Sequence, residues 1–101
     1  MGASVSVEQV RNSVYAAIES FNADEVQQVA RQDDCVLLGP GGAVDSLGLV
    51  RLVMVVERRI EDDFGTPISL TDERAMSQRN SPFRSVGTLV AYITTALNEA
   101  R

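Results

Sequence analysis

Apolar residues recur at helical spacing in three stretches of the chain, and the segments between them break the pattern. Val10, Val14, Ala17, Ile18 and Phe21 follow at intervals of four, three, one and three, which makes one stripe of an amphipathic helix. Ser6 with Gln9 three residues later reads as a capping box at its start. The pattern fades near Asn22, and residues 24–30 are expected to add a turn or two, with Asp24 as cap and Val26 and Val29 apolar. Leu49, Leu52, Val53, Val56, Ile60 and Phe64 predict a second helix over residues 46–63, stopped by Gly65. Val86, Leu89, Val90, Ile93 and Leu97 predict a last helix, with Ser85 as its N-cap.

Residues 31–44 read as a long first loop. Its charged residues Arg31, Asp33 and Asp34 are expected to be solvated, and Val36, Leu37 and Leu38 to anchor it in the core. Gly39-Pro40-Gly41-Gly42 is a break that neither a helix nor an inner strand tolerates. After Pro67, Ile68 and Leu70 should point back to the core from an extended linker. Thr71 or Asp72 can cap a short helix through Gln78, with Ala75 and Met76 inward, and Asn80-Ser81-Pro82 ends it. Strand signals are weak: the 36–38 run is short and the 53–56 run sits inside a helical period. The expected fold is all-α, a small antiparallel four-helix bundle with three long helices, one short helix and a long first loop. Residues 1–101 are expected to form a single domain.

Composition narrows the chemistry. With three Phe, two Tyr and no Trp, the core must be aliphatic. Nine basic against fourteen acidic residues give a net charge of −5, which disfavours nucleic acid and anionic membrane surfaces and suits basic protein partners. The chain has no histidine, so serine–histidine and cysteine–histidine catalysis are excluded. Carboxylates scatter as a solvated face would, and no metal-ligand spacing or nucleotide fingerprint appears. Cys35 has no internal disulfide partner and reads as a small packing residue in a reducing compartment. The start Met1-Gly2-Ala3-Ser4-Val5-Ser6 formally fits a myristoylation pattern but lacks polybasic support. The apolar runs are too short to span a bilayer, so no membrane insertion is expected.

The second helix carries more than its core stripe. Leu47, Val50 and Met54 form a second apolar set, offset around the helix and near its start. Either the helix is central and buries them all, or they form a docking surface. Directly before them stands Gly41-Gly42-Ala43-Val44-Asp45-Ser46-Leu47. Asp45 can serve as an ordinary N-cap. A helix N-terminus also offers free N–H groups and the positive end of a dipole, so a serine there suits a phosphodiester.

Gly-x-x-Val-Asp-Ser-Leu followed by Gly-Leu-Val-Arg-Leu-Val-Met resembles the phosphopantetheine attachment site of the acyl carrier protein family. The resemblance spans residues 37–97, with helix order agreeing. It implies that Ser46 carries a 4′-phosphopantetheine, transferred from coenzyme A by a phosphopantetheinyl transferase, whose terminal thiol holds an acyl group as a thioester. Asp45 would be the acidic neighbour that helps the transferase position its metal. Leu47, Val50 and Met54, with Arg51 and Glu57 beside them, would face partner enzymes that load, transfer or condense acyl groups. The expected function is a monomeric cytoplasmic carrier in fatty acid, polyketide or related lipid biosynthesis, a substrate for enzymes rather than an enzyme itself.

The charges depart from the family's usual acidic second helix. Arg51, Arg58 and Arg59 stand among Glu57, Glu61, Asp62 and Asp63, and Gly48 fills a position that is often acidic. This mixture points to a specialised carrier whose partners read something other than an acidic stripe. Two alternatives remain: an aminoacyl or peptidyl carrier using the same serine, and a non-covalent helical adaptor using the apolar patch alone.

Overall fold

The computed structural model describes residues 5–25, 27–39, 41–70 and 83–100, with Ser46 and Ala100 described through their backbone. Each helix starts at the cap its sequence supplies. Ser6 Oγ accepts the Gln9 amide at 3.2 Å, and Gln9 Oε1 accepts the Ser6 amide at 2.9 Å. This reciprocal pair opens α1, Val7–Asp24. Asp45 caps α2, Ser46–Phe64, and Gly65 closes it in the left-handed conformation (φ 69°), with its amide on the Glu61 carbonyl at 2.8 Å. At the start of α3, Val86–Ala100, Ser85 Oγ accepts the Thr88 amide at 3.2 Å and Thr88 Oγ1 accepts the Ser85 amide at 3.0 Å.

The predicted stripes meet in one core. Val10, Val14, Ala17, Ile18 and Phe21 of α1 are buried, as are Leu52, Val53, Val56 and Ile60 of α2. So are Val86, Leu89, Val90, Ile93 and Leu97 of α3. Leu49 and Phe64 are half-buried against this core. Each buried aliphatic side chain contributes roughly 1.5–3 kcal/mol over an exposed one, which is what fixes the helices against each other. The radius of gyration is 12.7 Å.

Side-chain pairs give the helix directions. Ser13 of α1 reaches Asp63 at the end of α2, and Glu25 just beyond α1 reaches Arg51 near the start of α2. Val5 exchanges two bonds with Asn98 in the last turn of α3. α1 therefore runs antiparallel to α2, and its start lies beside the end of α3. It packs against each of them, whereas among the described residues no Cα of α2 comes within 8 Å of one in α3.

The described residues hold three helices and no strand; Val36 and Ser85 form one isolated antiparallel bridge. The short helix expected over 71–78 lies outside the described residues. None of the described helices is long and apolar enough to cross a membrane. Two local expectations are corrected. The segment after Asp24 does not continue as helix: Glu25 is extended (φ −124°, ψ 149°), and Val29 is buried from a non-helical backbone. Of the three apolar loop residues only Leu37 is buried; Val36 and Leu38 are 41% and 39% exposed. Leu37 N donates to Arg84 O and Val86 N to Cys35 O, each at 3.0 Å, so this stretch is extended and its side chains alternate.

The rest of the loop folds back on itself. Ala43 N donates to Val36 O at 2.9 Å and Val44 N to Leu37 O at 3.1 Å. The turn between them uses positive φ at Gly39 (107°) and Gly41 (74°), a conformation that costs other residues energy. The fold-back delivers Val44 to the core and leaves Asp45 at the head of α2.

Candidate functional site

The candidate site is the first turns of α2. Val44 is buried immediately before it and fixes where the helix begins. Asp45 is the N-cap: its Oδ1 accepts the Gly48 amide at 2.8 Å, and its carbonyl accepts the Leu49 amide at 2.8 Å. Ser46 is the first helical residue. The predicted cap role of Asp45 is therefore present, with the serine directly after it.

Leu47, Val50 and Met54 are 69%, 51% and 63% exposed. The alternative in which a central helix buries them does not hold. Spaced by three and four, they share one flank of α2, turned away from the face that buries Leu52, Val56 and Ile60. An open groove of about 420 Å³ continues from Met54, lined also by Glu57, Arg58, Glu61 and Ile68.

The two charged residues of the candidate surface also make contacts within the chain. Arg51 Nη1 meets Glu25 Oε1 at 2.9 Å. Glu57 is half-buried and accepts the Leu70 amide at 2.6 Å, holding the linker whose Leu70 side chain fills the core. Further along α2, Arg59 pairs with Asp63 one turn on, at 2.9 Å. The Ser13 hydroxyl and, after it, the Arg59 guanidinium hold the Asp63 carboxyl below the ordinary aspartate range.

A second polar cluster lies away from the site. Asp33, expected as a solvated loop residue, accepts Arg11 Nε at 3.1 Å and the Tyr15 hydroxyl at 2.7 Å. Its backbone carbonyl accepts the Gly87 amide at 2.8 Å, so one residue ties α1, the loop and α3 together. Hydrogen bonds from Arg11 and then Tyr15 hold its carboxyl low, and the same contact raises the Tyr15 hydroxyl.

Sequence reasoning missed two residues that adjoin the candidate site, Glu25 and Gln27. Their partners lie far along the chain, Arg51 for Glu25 and Asp45 for Gln27, so no local pattern marks them. No family model matches the chain, and neither a curated protein nor a solved structure matches it.

Proposed function

We propose that this chain is an acyl carrier protein that holds acyl intermediates as thioesters on a 4′-phosphopantetheine attached to Ser46. The observation that carries the reading is the conjunction at the head of α2. An Asp-capped helix starts on a serine, after a glycine turn, beside the exposed apolar flank of Leu47, Val50 and Met54. A surface helix needs only its core stripe, and an exposed second stripe next to the serine suits enzymes that must approach that serine.

In this reading a phosphopantetheinyl transferase moves the arm from coenzyme A to Ser46 Oγ. The hydroxyl oxygen would attack the phosphorus that bears the pantetheine arm, giving its proton to a base on the transferase, while the phosphoanhydride bond of coenzyme A breaks and adenosine 3′,5′-bisphosphate leaves. Asp45 serves twice, capping the helix through one oxygen and facing the transferase's metal with its charge. The N–H groups of the first turn favour the phosphodiester. The arm's thiol does the acyl chemistry, and the chain itself catalyses nothing. A short helix within residues 71–78 would complete a four-helix bundle. The protein works as a cytoplasmic monomer, passing acyl groups between loading, transfer and condensing enzymes of lipid or polyketide synthesis.

The test is transfer from a fluorescent coenzyme A analogue by a broad-specificity transferase. The wild type should become labelled and Ser46→Ala should not. The exposed Leu47, Val50 and Met54 flank also favours one other reading, a non-covalent helical adaptor, which predicts that Ser46→Ala keeps full function. Loading assays with adenylating enzymes separate acyl from aminoacyl cargo.

A further inference from the structure

The segment after α1 is braced from within and fastened to the start of α2 at two points. Asn22 Oδ1 accepts the Val29 amide and Asn22 Nδ2 donates to the Val29 carbonyl, each at 2.9 Å. Gln28 Nε2 donates to the carbonyls of Asn22 and Glu25, each at 2.8 Å. Val29 is itself buried, so this turn is anchored to the core as well as to itself. It presents Glu25 and Gln27 to α2. Glu25 Oε1 takes Arg51 Nη1 at 2.9 Å. Gln27 Oε1 accepts a long bond of 3.4 Å from the Asp45 amide and lies against Gly48, where an added Cβ would collide with it.

We infer that Glu25 and Gln27 are positioning residues for attachment at Ser46, acting through Arg51 and Asp45; the inference rests on the carrier reading above. The first turn of a helix frays by default, because its N–H groups lack intrahelical partners. Here that turn is fastened on both sides of Ser46, at Asp45 before it and at Arg51 after it. A serine held in one place meets a transferase at lower entropic cost than one on a fraying end. Gly48 leaves room for the arrangement, since an added Cβ would make the Gln27 amide shift and would sit 3.1 Å from Val44 Cβ and 3.2 Å from Asp45 Oδ1. Arg51 is accordingly a brace. Its guanidinium is paired with Glu25 at 2.9 Å, with the Arg51 side chain 60% exposed and that of Glu25 22% exposed.

The experiment uses the full chain and two readouts, hydrogen exchange at the Gly48 and Leu49 amides and transferase kinetics with coenzyme A. Glu25→Gln should speed exchange at both amides and lower kcat/KM by about twofold to fivefold, the range expected for losing one exposed pair. Glu25→Arg combined with Arg51→Glu should restore both, because the brace needs opposite charges and not a given polarity. Gly48→Ala should load more slowly although alanine is the better helix former. A swapped pair that loads as poorly as Glu25→Gln overturns the inference, because partners then read the Arg51 charge directly. Unchanged exchange in Glu25→Gln overturns it as well. If the wild type accepts no phosphopantetheine, the carrier reading fails on its own terms, and exchange still decides whether the brace exists.

Discussion

The Asp45 carboxylate accepts the Gly48 amide at 2.8 Å, which fixes the residue before Ser46 as the N-cap of α2. Structure and chemistry can be separated at this position. Asparagine caps as well as aspartate, whereas alanine does not. Asp45→Ala should lower stability by about 1 kcal/mol, and Asp45→Asn should leave it nearly unchanged. Because the carrier reading gives the charge a second task at the transferase's metal, Asp45→Asn should nonetheless load slowly. Denaturant midpoints compared with loading rates check both statements.

The two faces of α2 should respond oppositely to substitution. Ile60 is fully buried, so Ile60→Ala should cost about 2–5 kcal/mol. Leu47 and Met54 are mostly exposed, so Leu47→Gln and Met54→Gln should change stability by less than about 0.5 kcal/mol. The same two changes should weaken transfer of an acyl group to or from a partner enzyme. Urea unfolding and acyl-transfer assays on one set of variants would show the split.

The depressed carboxylates make stability fall in acid. Asp33 and Asp63 have folded-state values below the ordinary aspartate value near 4, so the unfolded chain binds more protons in the window between. Their contribution is present above about pH 4 and is lost as pH falls through the lower folded values. Asp33→Asn and Asp63→Asn should each flatten the acid limb of the stability curve. Arg11 is the larger cause at Asp33, so Tyr15→Phe should raise that carboxyl only partway towards normal. A carbon-detected titration of Asp33 follows it directly.

What was legible in the sequence was local. The stripes of α1 and α3, the Ser6–Gln9 box, the Gly65 stop and the inward Leu70 all follow from spacing within one or two turns. The exposed set of Leu47, Val50 and Met54 was legible because it is offset from the core stripe of its own helix. Asp33 was not, since Arg11 and Tyr15 lie 22 and 18 residues before it and only the fold brings them together. Helix beyond Asp24 was expected from apolar Val26 and Val29, but the Asn22 side chain binds both backbone groups of Val29 and holds the segment in another shape. Val36 and Leu38 read as anchors by composition, and the extended backbone turns them outward on either side of Leu37.

The most direct test is intact mass after incubation with coenzyme A, magnesium and a broad-specificity phosphopantetheinyl transferase, beside a Ser46→Ala control. A gain of one phosphopantetheine is expected on the wild type and none on the control. No gain with several transferases, or an equal gain on Ser46→Ala, would contradict the carrier reading.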